Sequence, residues 1–160
     1  MMTRKDSMAE DLIDHLLGLT PAHPLHALRG RRPEARQHAE GAYRELLLPG
    51  DPGALSRAER AALAERVAAR EGAGALAAHY AALVTQAGGV APGPRLEALL
   101  RYADIVAATP EATSRADIEG MAALGLTSRE IVAATQLIAF VPYQVRVLAA
   151  LRAMMQESAQ

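Results

Sequence analysis

The chain has 160 residues, 51% hydrophobic and only 3% aromatic, with 36 alanines, no cysteine and a net charge of −1. That length suits one compact domain, and so much alanine with so few aromatic residues favours helices and excludes an all-β fold. Without sulfur nucleophiles this chain has no disulfide, thiolate ligand or thiol redox chemistry, and without a charge surplus neither a nucleic-acid nor a membrane partner is expected.

Ser7 is read as the cap of a first short helix carrying Leu12, Ile13, Leu16 and Leu17 at helical spacing and ended by Thr20-Pro21. The acids and histidine in this stretch argue against a secretory signal, so a cytoplasmic protein is expected. Residues 20–32 read as loop, and the arginines at 29, 31 and 32 as its solvated charges. Pro33 is placed as the first residue of a helix with a stripe of Ala35, Ala39, Tyr43, Leu46 and Leu47. The segment Pro49-Gly50-Asp51-Pro52-Gly53 stops it, and divides an N-terminal helical extension (1–50) from the main domain (54–155).

Ser56-Arg57-Ala58-Glu59 is a capping box opening a helix to about Arg70. A second helix, about Ala73 to Gln86, puts Leu76, His79, Tyr80 and Leu83 on one face. The two should pair as a central hairpin, with alanines letting the backbones approach. The uncharged run Gly72 to Pro94 is too rich in glycine and polar residues to span a membrane. The next helix carries Leu96, Leu99, Leu100, Ala103 and Val106 on one face and Ala98, Tyr102 and Ile105 on another, so it is either central or covered by another subunit. Ser114 and Asp117 start a short helix that stops at Gly125, and Thr127 with Glu130 resembles a further capping box. Ile131 to Val141 is apolar all round, which places it and its Gln136 inside; Pro142 should then break or kink the chain before a last helix carrying Val147, Leu148, Leu151, Met154 and Met155.

No phosphate loop, HExxH or acidic calcium loop is present. His15, His23, His26 and His38 lack an adjacent carboxylate at ligand spacing and read as surface residues, so no metal is expected. His79 differs: a titratable ring on an apolar seam is either a satisfied core residue or an acid–base group.

Leu55-Ser-Arg-Ala-Glu-Arg-Ala-Ala-Leu, a small-residue break and Ala-Ala-His79-Tyr80 resemble the core of the alkylhydroperoxidase D and carboxymuconolactone decarboxylase family. Asp117-Ile118, Gly125-Leu126, Glu130-Ile131-Val132 and Gln136-Leu-Ile-Ala-Phe-Val-Pro-Tyr143-Gln-Val-Arg146-Val are similar to its closing helices. The resemblance implies an all-α, AhpD-like domain of about seven to eight helices around an antiparallel hairpin. It also implies a homo-oligomer without a cofactor. The family's peroxidases carry Glu, then Cys-x-x-Cys, then His, two thiols one helical turn apart with a proton relay beside them. Here Gly72 and Ala75 stand at the cysteine positions and Arg60 at the Glu position; one residue later these become Ala73, Leu76 and Ala61, with Tyr80 for the His. Neither register restores a thiol.

The resemblance therefore leads to an accessory or ligand-binding member without thiol peroxidase activity of its own, open to a small molecule or a cysteine-bearing relative. Two alternatives stand beside it. One is a thiol-free decarboxylase or isomerase using His79, with Glu59 as a weaker catalytic candidate and Arg60, Gln136, Tyr143 and Arg146 as binding candidates. The other is a peroxidase-related oxidoreductase that borrows an external thiol.

Overall fold

A computed structural model of the chain describes residues 11–157; the Ser7 cap lies outside them. Among the described residues there is no strand. Eight helices follow one another: α1 (Leu12–Leu17), α2 (Pro24–Gly30), α3 (Pro33–Leu47), α4 (Arg57–Arg70), α5 (Gly74–Gln86), α6 (Pro94–Ala108), α7 (Arg115–Ala123) and α8 (Ser128–Glu157). A 3-10 turn, Pro110–Ala112, joins α6 to α7. The all-α expectation holds.

α4 and α5 form the expected hairpin and share the most extensive helix contact in the molecule; α4 also lies against α8 and α6. The inward face of α4 is Ala61, Leu63, Ala64, Val67 and Ala68, all buried, so small side chains stand where helices must approach closely. Gly72, at φ +71°, turns the chain between the two helices in the left-handed region that favours glycine. The Ser56 hydroxyl accepts from the Glu59 N–H at 3.2 Å, and the Glu59 carboxylate accepts from the Ser56 N–H at 2.9 Å. Ser114 and Asp117 repeat this reciprocal arrangement at the start of α7.

Glu130 does more than cap α8. One carboxylate oxygen accepts from the Thr127 N–H at 2.7 Å, and the other accepts from the Ala54 N–H at 2.8 Å, tying α8 to the linker before α4. A Cβ on Gly53, which has φ +61°, would run into that second oxygen. Gly53→Ala is expected to cost about 2 kcal/mol, from the left-handed backbone and from displacing the Glu130 carboxylate. Urea denaturation of the variant checks this, with Gly50→Ala, where a Cβ meets nothing, as the neutral control.

The structure corrects three expectations. Residues 20–32 contain a helix, α2, whose N-cap is His23, with Nδ1 accepting from the Leu25 N–H at 3.2 Å. Pro142 does not break the chain; α8 runs through it for 30 residues. Burial explains the tolerance, because Leu137, Ile138, Val141 and Leu148 pack on both sides of the proline and offset its usual penalty of about 3 kcal/mol. Of the two positions expected for α6 the central one is observed: it lies against α4 and α8, Tyr102 of its second apolar line is buried with Oη 2.7 Å from Thr135 Oγ1 of α8, and Ala98 and Ile105 are half-buried. Gln136 lies on the exposed face of α8, and the glutamine inside is Gln144.

Among the described residues α8 alone has the length and apolarity of a membrane span, over Ser128–Gln156 at mean hydropathy 1.5. It is also the helix against which α1, α3, α4, α6 and α7 all lie, and its apolar residues supply much of the core.

Candidate functional site

The hairpin helix α5 turns Leu76 and Tyr80 inward, both buried, and leaves His79 at the border of the core. Tyr80 Oη donates to Gln144 Oε1 on α8, so neither buried polar group is unpaired. The stripe predicted on α3 delivers Tyr43 to the same place, with its hydroxyl 2.7 Å from His79 Nε2. The two rings lie 5.9 Å apart, and His79 meets Tyr80 edge-on at 5.3 Å.

Burial lowers the His79 imidazole below its ordinary 6.5, and the charge of His15 acts the same way. Burial also pushes the Tyr43 hydroxyl up to about 12, helped by Glu40, and raises Tyr80 as well. The Tyr43–His79 bond therefore joins two neutral groups around neutral pH. The pair opens on a recess of about 520 Å³ whose polar rim is His15, Glu40 and Arg44, with Arg44 Nε donating to Glu40 at 3.2 Å. The arrangement offers a polar, uncharged floor to a bound molecule.

The other candidates do not converge on His79. Arg60 is buried and donates to three backbone carbonyls: Leu55 at 2.9 Å, Leu46 at 3.0 Å and Pro52 at 3.2 Å. It holds the Pro/Gly linker closed against α3 and α4, and its guanidinium is spent on that. Glu59, besides capping α4, accepts from Arg95 Nε at 2.6 Å. Burial works against the Glu59 charge, but Arg95 and Ser56 outweigh it and hold the carboxyl below the usual range. Gln136 lines a separate cleft with Arg129 and Glu130, and Arg146 is exposed on α8. Tyr143 is 46% exposed and stacks on Phe140 at a neighbouring cavity. Gly72, in the turn before α5, and Ala75, in its first turn, are both exposed.

Sequence reasoning missed Tyr43 and Gln144 as members of the site. Tyr43 is 36 residues from His79 and was visible only as a stripe residue. Its helix is held in place by a charge cluster. Asp14, buried on α1, accepts from Arg29 and from Arg36 Nη2 at 2.9 Å, with His26 Nδ1 at 3.1 Å. Asp11, the cap of α1, accepts from Arg29 at 3.0 and 3.1 Å.

The fold has a counterpart among solved structures. The crystal structure of an uncharacterized peroxidase-related protein from Silicibacter sp. TM1040 superposes with a TM-score of 0.56 over 73% of this chain and 68% of that one. The two sequences are 20% identical, so the likeness is one of fold. No family model matches the chain, and no curated protein matches it.

Proposed function

We propose that this chain is a cysteine-free member of the alkylhydroperoxidase D and carboxymuconolactone decarboxylase family that binds a small molecule and has no thiol peroxidase activity of its own. The observation that carries this reading is the Tyr43–His79 pair: the histidine that resembles the family's proton relay is engaged by a tyrosine of the N-terminal extension, with no sulfur beside it. The peroxidase-related fold of the structural neighbour supports the family reading. A thiol peroxidase needs a thiolate to take the peroxide oxygen and a second thiol to release it. Neither position supplies one.

Residues 1–50 serve in this reading as an extension whose helices α1 and α3 pack against α8 of the 54–155 domain, α3 also against α4. The protein acts in the cytoplasm without metal or cofactor. It self-associates through apolar side chains left uncovered, among them Val132 and Ile118, or pairs there with a cysteine-bearing relative. The second reading, an acid–base enzyme using His79, draws on the Glu40 carboxylate that shares its recess.

Purified protein given an organic hydroperoxide and a dithiol is expected to consume peroxide no faster than the dithiol alone. Turnover above that background that is abolished in His79→Ala would overturn the reading.

A further inference from the structure

A second cavity, of about 410 Å³, shares Leu12, Glu40 and Tyr43 with the His79 recess and is lined by the α2–α3 turn and by α8. Its size falls within the range of small-molecule sites. Leu28, Ala39, Phe140, Tyr143 and Val147 make its walls apolar. Leu28 and Tyr143 are more than two-fifths exposed, so large apolar surface faces solvent at the cavity rather than being sealed by the fold.

The charges around this cavity are not balanced. Arg29 and Arg36 are taken up by Asp11 and Asp14, and Glu40 by Arg44. Arg31 and Arg32, in the turn between α2 and α3, also line the cavity, are exposed, and have no ion pair or side-chain hydrogen bond among the described residues. Two adjacent guanidiniums at an apolar opening suit a carboxylate, which arginine grips through paired N–H donors. At the inner wall, Gln144 uses its Oε1 to accept from Tyr80, which leaves its amide N–H groups as the donors a bound molecule can meet.

On the reading of the chain as a ligand-binding member, we infer that this cavity binds an amphipathic carboxylate: a single acidic group held by Arg31 and Arg32, with an apolar body laid against Phe140, Tyr143 and Val147. Cavity shape, uncovered apolar surface and unpaired positive charge all point to that class. A neutral apolar ligand would leave the arginines unused, and a cation would face them.

The test is calorimetric titration of the full chain with decanoate below its micelle concentration, beside decan-1-ol and decyltrimethylammonium as probes of equal chain length. Decanoate is expected to saturate at one molecule per chain, and Arg31→Gln with Arg32→Gln to weaken it by about tenfold or more. Decan-1-ol should bind the wild type and the double variant alike. Equal binding of decanoate and decyltrimethylammonium, or decanoate binding unchanged in the double variant, would mean nonspecific adsorption and overturn the inference. Decanoate binding only after removal of residues 1–9 would overturn it in favour of the chain's own N-terminus as occupant. Absence of decanoate binding with absent peroxide turnover overturns this inference alone. Peroxide turnover lost in His79→Ala overturns the parent reading, whatever decanoate does.

Discussion

Arg60→Leu is expected to destabilise the fold by about 4 kcal/mol, because it leaves three carbonyls of the linker without their donor at about 1 to 3 kcal/mol each. For a chain of this length that corresponds to a fall in melting temperature of roughly 10 °C. The cause is specific. Leucine fills the space but leaves the carbonyls of Leu46, Pro52 and Leu55 without their donor, in a segment whose two prolines contribute no N–H of their own. Arg57, which donates to the Pro49 carbonyl at 2.7 and 3.0 Å, cannot reach all three replacements from its position one turn earlier. Arg60→Lys should recover only part of the loss, since one ammonium does not reproduce the guanidinium fork. Thermal melts of the two variants check both statements. A near-neutral Arg60→Leu would instead return Arg60 to the list of ligand-binding candidates.

Asp14→Ala is expected to cost about 3 kcal/mol, near the lower end for breaking a buried pair, because Arg29 and Arg36 keep Asp11 and some solvent as partners. The effect should be local before it is global. α1 and α2 are only six and seven residues long, too short to persist without tertiary support. Amide exchange should therefore accelerate over residues 12–36 while the protection of α4 and α5 is unchanged. Uniform acceleration across the chain would show instead that the extension and the hairpin unfold as one unit.

What was legible in the sequence was local chemistry. The Ser56/Glu59 box, the proline at the start of α3 and the glycine between α4 and α5 each specify a backbone state within a few residues, and the helices begin and turn where those signals lie. His23-Pro24 was a signal of the same kind, a capping side chain followed by a proline at the first helical position, and its neighbourhood of histidines and arginines disguised it as loop. The face of α8 was not legible. A helix that is apolar all round gives no sequence clue to its buried side, so Gln136 and Gln144, about 80° apart around the axis, could not be told apart. Only Tyr80, waiting on α5 with a hydroxyl to satisfy, selects Gln144. Pro142 likewise follows from tertiary burial overriding a local preference.

The candidate site divided along the same line. His79 was found because a titratable ring interrupted an apolar seam, a local anomaly. Its partner Tyr43 arrives from another helix, and of the two arginines read from sequence as binding candidates, Arg60 is structural and Arg146 is exposed on α8 away from His79. Arg60 shows the reason: standing where the resembled family carries its relay Glu, it reads from sequence as a binding group, whereas linker carbonyls needing donors become visible only in three dimensions.

The most direct measurement on the Tyr43–His79 pair is an NMR titration of the His79 ring nitrogens in the wild type and in Tyr43→Phe. His79 is expected to stay neutral at pH 7 and to titrate below 6.5, with its Nε2 resonance shifted by the Tyr43 substitution. The sign for stability follows. As pH falls below 6.5 the unfolded chain takes up the proton before the folded one, so stability is lost progressively through the folded value and is flat above the window. A His79 that titrates at or above 6.5, with Nε2 indifferent to Tyr43→Phe, would contradict the neutral pair on which the ligand-binding reading stands.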